Sequence, residues 1–328
     1  MSRIFEAWSP RNPDGSIRWS WSVVENYLTC PRKFEIAVVQ NLVAKEYAQA
    51  RETGSALHRG MAVANLKLKD AQEKHGGPFA VDENWIEYLL DTAVGVIQSD
   101  PNVREEDRAE AIRLITAYIR GDEYGAGGPR HFSRWRILAV EHTQTADLSA
   151  LLPPAERSCA IPWGQTADLV VEVAEKGDIA AGVYCADYKT ARSAGPRIKK
   201  YSRDGQALAC IAVHRAASAA GCMGFIPVII VKTKTVQLFS EPVYYPGDGV
   251  LQFVRSLSRW QQEIMALVRF GAADWPMNYS ACIGQYGYCD YYAKCHEGSD
   301  DFVPRDSLTP GQLVEKWDGP FEIDWSVK

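Results

Sequence analysis

The hydrophobic period of this 328-residue chain changes from Trp135 onward, and that change restricts its fold more than any other feature. Before about residue 120 the apolar residues recur at three and four. Ser22-Val-Val-Glu25 reads as a capping box opening a helix through VENYLTC, and Pro31 restarts a second helix, PRKFEIAVVQNL, as its first residue. Further helices are expected through GSALHRGMAVANLKLKDAQ, at about 83–98 and at about 104–120, so this half reads as all helical. After the glycine-rich loop GDEYGAGGPRH, the stretches RILAVEHTQTADL, SCAIPWGQTADLVVEVAE and DIAAGVYCADYKT alternate as half-buried strands do. A helix near 203–218, strands in GFIPVIIVKTKTVQLF and a helix through about 249–269 follow. An α/β fold with a helical N-terminal region is therefore expected, without internal repeats.

Charge matters here only by position. Residues 297–328 hold eight acidic against three basic residues, which accounts for the whole net charge of -5 and leaves residues 1–296 balanced. The densest basic stretch runs from Lys189 through Arg192, Arg197, Lys199, Lys200 and Arg203. The longest apolar run, CMGFIPVIIV, is too short for a membrane span and contains a proline. No secretion signal is visible in MSRIFEAWSPRN, so a cytoplasmic location is expected.

Eight cysteines in a reducing compartment argue against a disulfide framework. Cys159, Cys185, Cys210 and Cys222 lie singly among apolar residues and read as small core residues. Cys282, Cys289 and Cys295 crowd CIGQYGYCDYYAKC, while Cys30 stands at the junction of the first two helices.

In YCADYKTARS, Asp187 and Lys189 fall on one face of a strand with Tyr188 turned the other way. Alone, such a pair is a surface ion pair more often than a site. Asp168 lies in WGQTADLVVEV on the strand before, and Glu141 in ILAVEHTQ on the strand before that. Carboxylates gathered at one end of a sheet repel one another unless a divalent cation lies between them. Glu141 is read either as part of that acidic cluster or as a structural residue, and His58 alone is more often a helix-surface histidine than a ligand.

Taken in order, GSALH (54–58), AVE (139–141), GQTAD (164–168), DYK (187–189) and Gln206 resemble the motifs of the PD-(D/E)XK nuclease superfamily, and of its RecB-like exonuclease branch in particular. The glycine of GQTAD stands one residue further from its aspartate than the family pattern has it. Cys210 occupies the place of the tyrosine in the family's glutamine motif. The resemblance covers roughly residues 20–297. It implies a restriction-endonuclease-like core: a central mixed sheet flanked by helices, with an N-terminal helical region and a C-terminal iron-sulfur segment. The corresponding units are residues 1–130, a nuclease core at 131–270, the cysteine segment at 271–298 and an acidic tail at 299–328.

It also implies Mg2+ or Mn2+ held by His58, Asp168, Asp187 and the Tyr188 carbonyl, with Lys189 serving the nucleophile and Gln206 orienting DNA or the lysine. Glu141 joins the catalytic set. Arg192, Arg197, Lys199, Lys200, Tyr201 and Arg203 are expected to contact DNA. Cys30, Cys282, Cys289 and Cys295 resemble the four ligands of a 4Fe-4S cluster in CRISPR-associated and phage RecB-like exonucleases. Zinc is the rival occupant, with His296 as a substitute ligand. The implied activity is metal-dependent DNA cleavage, exonucleolytic and directed at single strands or ends, in recombination, repair or CRISPR-type adaptation, with proteins of those pathways as partners. The alternative is a non-catalytic iron-sulfur DNA-binding adaptor that keeps the fold.

Overall fold

The computed structural model describes residues 10–307 apart from 13, 45–51, 80, 101–102, 122–134, 176–178, 194–199, 202–203, 219–220, 272–274 and 285–286. Helix α1 (Trp21–Thr29) is followed by α2 (Pro31–Phe34), which has proline in its first turn and relaxes into a π-helical turn at Glu35–Val39. Next come β1 (Leu42–Ala44), α3 (Glu52–His75), α4 (Glu83–Ser99) and α5 (Glu105–Arg120). The strands β2 (Trp135–Asp147), β3 (Pro162–Val173) and β4 (Gly182–Ala191) lead into α6 (Gly205–Ala217). After β5 (Gly224–Val231), β6 (Gln237–Phe239) and α7 (Gly247–Phe270), the chain ends its described course in β7 (Ile283–Gly284), β8 (Gly287–Tyr288), α8 (Tyr292–His296) and β9 (Phe302–Pro304).

Strands β2 to β6 form one five-stranded sheet in chain order, antiparallel except for the parallel pair β4–β5. A parallel pair needs a crossover, and α6 supplies it. Two-residue alternation divides the sheet between two cores. Leu169, Val171 and Val173 with Tyr184, Ala186 and Tyr188 face the cluster built with α3, α4 and α5. Val170, Cys185, Phe225 and Ile229 face the cluster built with α1, α2, α6 and α7. The result is a three-layer α/β architecture with both sheet faces covered. No helix among the described residues is long and apolar enough to cross a membrane.

Several local expectations are corrected. Helix α1 begins at Trp21 with Ser20 at its N-cap, so Ser22 lies inside the helix and the expected capping box does not form. Cys159 is exposed, contrary to its reading as a core residue. Cys185, Cys210 and Cys222 are buried but not single: the Cys185 and Cys222 sulfurs lie 3.7 Å apart, and Cys210 bonds to Cys185. They meet because β4, α6 and the entry to β5 converge under the sheet. The root of the acidic tail is held to the body, since β9 pairs with β1 and Phe302 stacks on Tyr291 at 5.7 Å. The glycine-rich loop and residues 308–328 lie outside the described residues.

Candidate active site

Three strands and two helices converge where the pairing of β3 with β4 ends, at Leu169 and Ala186. Leu169 pairs with Ala186, which brings Asp168 beside Asp187. The Tyr188 backbone N–H donates to Asp168 Oδ2 at 2.7 Å and fixes the carboxylate across the strands. Glu141 lies between the pairs Val140–Leu169 and His142–Ala167, which sets it opposite Asp168. Its φ of 46° is left-handed, an uncommon conformation for a glutamate, and it follows a bulge between Ile137 and Ala139. Strain of this kind persists where surrounding structure holds it, and here it sits at the acidic cluster.

Helix α3 brings His58, whose Nδ1 is 3.6 Å from Asp168 Oδ2. One ligand atom each from His58, Glu141 and Asp168 lie within 4.8 Å of one another. Oxygen donors with one imidazole suit magnesium or manganese. Burial, and then repulsion from Asp168 and Asp187, push the Glu141 carboxyl up to about 9. Such crowding fits a cation site, because a divalent charge would relieve both effects.

Asp187 and Lys189 share a strand face as their spacing predicts, with Lys189 Nζ 2.7 Å from Asp187 Oδ2. This is no surface pair: Asp187 is buried, and Lys189 is drawn in beside it. Burial raises the Asp187 carboxyl, opposed by Lys189. For Lys189, burial disfavours the ammonium, but Asp187 and Asp168 together outweigh it and raise its pKa. Gln206, in the first turn of α6, donates from Nε2 to Asp187 Oδ1 at 2.8 Å. In this structure it therefore orients the aspartate. Asp204 caps the same helix by accepting from the N–H groups of Gln206 and Ala207. Gly205 between them is required by space, since a Cβ there would meet the Trp21 indole at 2.2 Å.

The expected DNA-contacting residues divide. Arg192 is exposed. Lys200 is exposed and pairs with Asp204 at 3.2 Å. Tyr201 is a correction: it is 2% exposed and stacked on Phe225 in the core, with no free ring face for a base. Arg197, Lys199 and Arg203 lie outside the described residues.

Cys30, Cys282, Cys289 and Cys295 line one cavity together with His296, although more than 250 residues separate the first from the second. The Asn278 N–H points at Cys30 Sγ from 3.4 Å, and His296 Nε2 lies 3.4 Å from Cys282 Sγ. Burial raises the thiols of Cys289 and Cys295.

The reading of motifs did not single out Asn65 and Tyr118, which bond to the hydroxyl of Tyr188 behind the site. An asparagine within the apolar run MAVANL, seven residues after His58, was the available signal.

An Asp–Lys pair with its aspartate buried, beside two carboxylates and a histidine that could hold a metal ion, on a mixed sheet flanked by helices, is an arrangement that suits a hydrolase. The PD-(D/E)XK nuclease superfamily profile matches residues 18–296, and the chain belongs to that superfamily. No curated protein sequence matches it. A solved structure of a candidate exonuclease from Eubacterium rectale is similar with a TM-score of 0.44 at 12% identity, covering 79% of this chain and 84% of that one.

Proposed function

We propose that this nuclease is a magnesium- or manganese-dependent DNA exonuclease of the RecB-like branch, acting on single strands or ends. The observation that carries the reading is the gathering of His58, Glu141 and Asp168 within 4.8 Å, beside the Asp187–Lys189 pair. A divalent ion at that position would lower the pKa of bound water and polarise the scissile phosphate. Its holders would be His58, Asp168, Asp187 and the Tyr188 carbonyl, with Glu141 completing the set. In an extended strand the N–H and C=O of one residue point the same way, so the Tyr188 carbonyl shares the direction of the N–H given to Asp168.

The chain's own residues would do the rest. Lys189 holds the attacking oxygen and balances charge growing on the phosphate. Gln206 fixes Asp187, and the Tyr188 N–H fixes Asp168, so neither carboxylate turns away during turnover. Exposed Arg192 and Lys200, with Arg197, Lys199 and Arg203, would neutralise the DNA backbone. The retained set of His58, Asp168, Asp187 and Lys189 supports an enzyme over a non-catalytic adaptor.

Cys30, Cys282, Cys289 and Cys295 would hold a 4Fe-4S cluster that staples the N-terminal helices to the 271–298 segment, with the nuclease core at 131–270 between them. The proximity of His296 to Cys282 favours one second reading, a zinc staple with a histidine ligand. Brown purified protein supports iron, and colourless protein supports zinc. Setting, whether recombination, repair or CRISPR-type adaptation in the cytoplasm, belongs to the same proposal. The activity is tested with end-labelled single- and double-stranded DNA: cleavage that needs Mg2+ or Mn2+ and releases short products from ends supports the proposal, and cleavage persisting in chelator overturns it.

A further inference from the structure

Behind the acidic cluster, on the side of the sheet covered by α3, α4 and α5, lies a buried polar network. The hydroxyl of Tyr188 accepts a hydrogen bond from Asn65 Nδ2 at 2.8 Å and lies 2.8 Å from the Tyr118 hydroxyl. The same Asn65 nitrogen donates to the Met61 carbonyl at 2.7 Å. Asn65, Tyr118 and Tyr188 are each 2% exposed or less. Their surroundings are apolar, including Leu57, Met61, Leu114 and Ile115, and a phenylalanine in place of either tyrosine would pack there without any need for a partner. Burying three polar side chains costs desolvation, which only directional bonds offset. Such a network fixes one relative placement of the elements that carry it.

Those elements are the ones that carry the site. Asn65 and Tyr118 lie on α3 and α5, and Tyr188 lies on β4 between Asp187 and Lys189. On α3, His58, Met61 and Asn65 follow at three and four residues and so share a face. The Tyr188 ring meets the His58 ring edge-on at 6.1 Å and the Tyr118 ring at 5.4 Å. Its backbone N–H meanwhile holds Asp168. One residue thus touches His58 with its ring, Asp168 with its peptide, and α3 and α5 with its hydroxyl.

We propose that Asn65 and Tyr118 are positioning residues of the nuclease site: by anchoring the Tyr188 hydroxyl they set the spacing between His58 on α3 and Asp168 on β3. They touch neither substrate nor metal and act through Tyr188. The inference rests on the proposed function, because the spacing matters through the ion that His58 and Asp168 share. Outer partners of this kind typically change metal affinity by roughly 10–100-fold.

The test is calorimetric titration of Mn2+ into the full-length wild type, Tyr118→Phe and Asn65→Ser, with Asp168→Ala defining the signal of the site, alongside melting in chelator and steady-state cleavage. Tyr118→Phe removes one oxygen and keeps the ring, and Asn65→Ser reads the same anchor should the first variant not fold. Mn2+ binding weakened about tenfold, with kcat lowered and KM for DNA unchanged, is the expected result. A network that only stabilises the fold would lower the melting temperature and leave Mn2+ affinity within about twofold, which overturns the inference alone. Absence of Mn2+ binding by the wild type overturns the inference together with the function it rests on.

Discussion

Filling the His58–Glu141–Asp168 site with Mn2+ should expel a proton from Glu141. Without a cation, burial and the neighbouring Asp168 and Asp187 push that carboxyl up to about 9, so at about pH 7.5 it is almost entirely protonated. A ligating carboxylate is ionised, and binding therefore releases about one proton per ion. Below the raised pKa the apparent affinity should rise about tenfold per pH unit, and it should flatten above it. The same group gives metal-free protein a pH-dependent stability of known sign. Its folded pKa is raised from 4.5 to about 9, so across that window the folded state binds more protons than the unfolded chain. Stability is then full below the unfolded pKa and falls as pH rises, with a limiting slope of about 1.4 kcal/mol per pH unit from this one proton. Titrations in buffers of different ionisation enthalpy count the released proton directly. Glu141→Gln should bind Mn2+ more weakly and release none from this position. Wild-type binding without proton release, or undiminished release from Glu141→Gln, would refute the reasoning.

Three further outcomes are expected. Asp187→Ala and Lys189→Ala should remain folded and bind DNA while cleavage falls at least about a hundredfold, checked by binding and single-turnover cleavage on one preparation. Cys30→Ala should lower the melting temperature and remove bound metal, read by colour and metal content, because Cys30 is the proposed ligand that would join the N-terminal helices to the cysteine segment. Gly205→Ala should cost about 2 kcal/mol in denaturant unfolding, since its Cβ would meet the Trp21 indole at 2.2 Å, and should slow cleavage by displacing the adjacent Gln206 from Asp187.

Periodicity made the long elements legible. The runs of α3, α4, α5 and α7 each carry an apolar stripe, and β2, β3 and β4 alternate, so their existence and order could be read directly. The gathering of the candidate residues was legible for a related reason: Asp187 and Lys189 share a face by strand geometry alone, and the motif order pointed to His58, Asp168 and Gln206, which the structure places around them. What stayed hidden depends on tertiary packing. Ser22 carries the letters of a cap, yet the chain turns into helix at Ser20. Tyr201 sits in a basic run that suggests solvent, but Phe225 on β5 covers it. Cys185, Cys210 and Cys222 look isolated until the parallel crossover folds them together. Asn65 and Tyr118 are 53 residues apart and meet only through Tyr188.

The central claim is that His58, Glu141, Asp168, Asp187 and Lys189 form one metal-dependent DNA-cleaving centre. A time course on end-labelled single- and double-stranded DNA, run in chelator and with restored Mg2+ or Mn2+, with Asp187→Ala in parallel, tests it most directly. The account predicts no cleavage in chelator, end-directed cleavage on adding either ion, and none by Asp187→Ala at equal DNA binding. Cleavage by the wild type in chelator, or by Asp187→Ala at the wild-type rate, would contradict it.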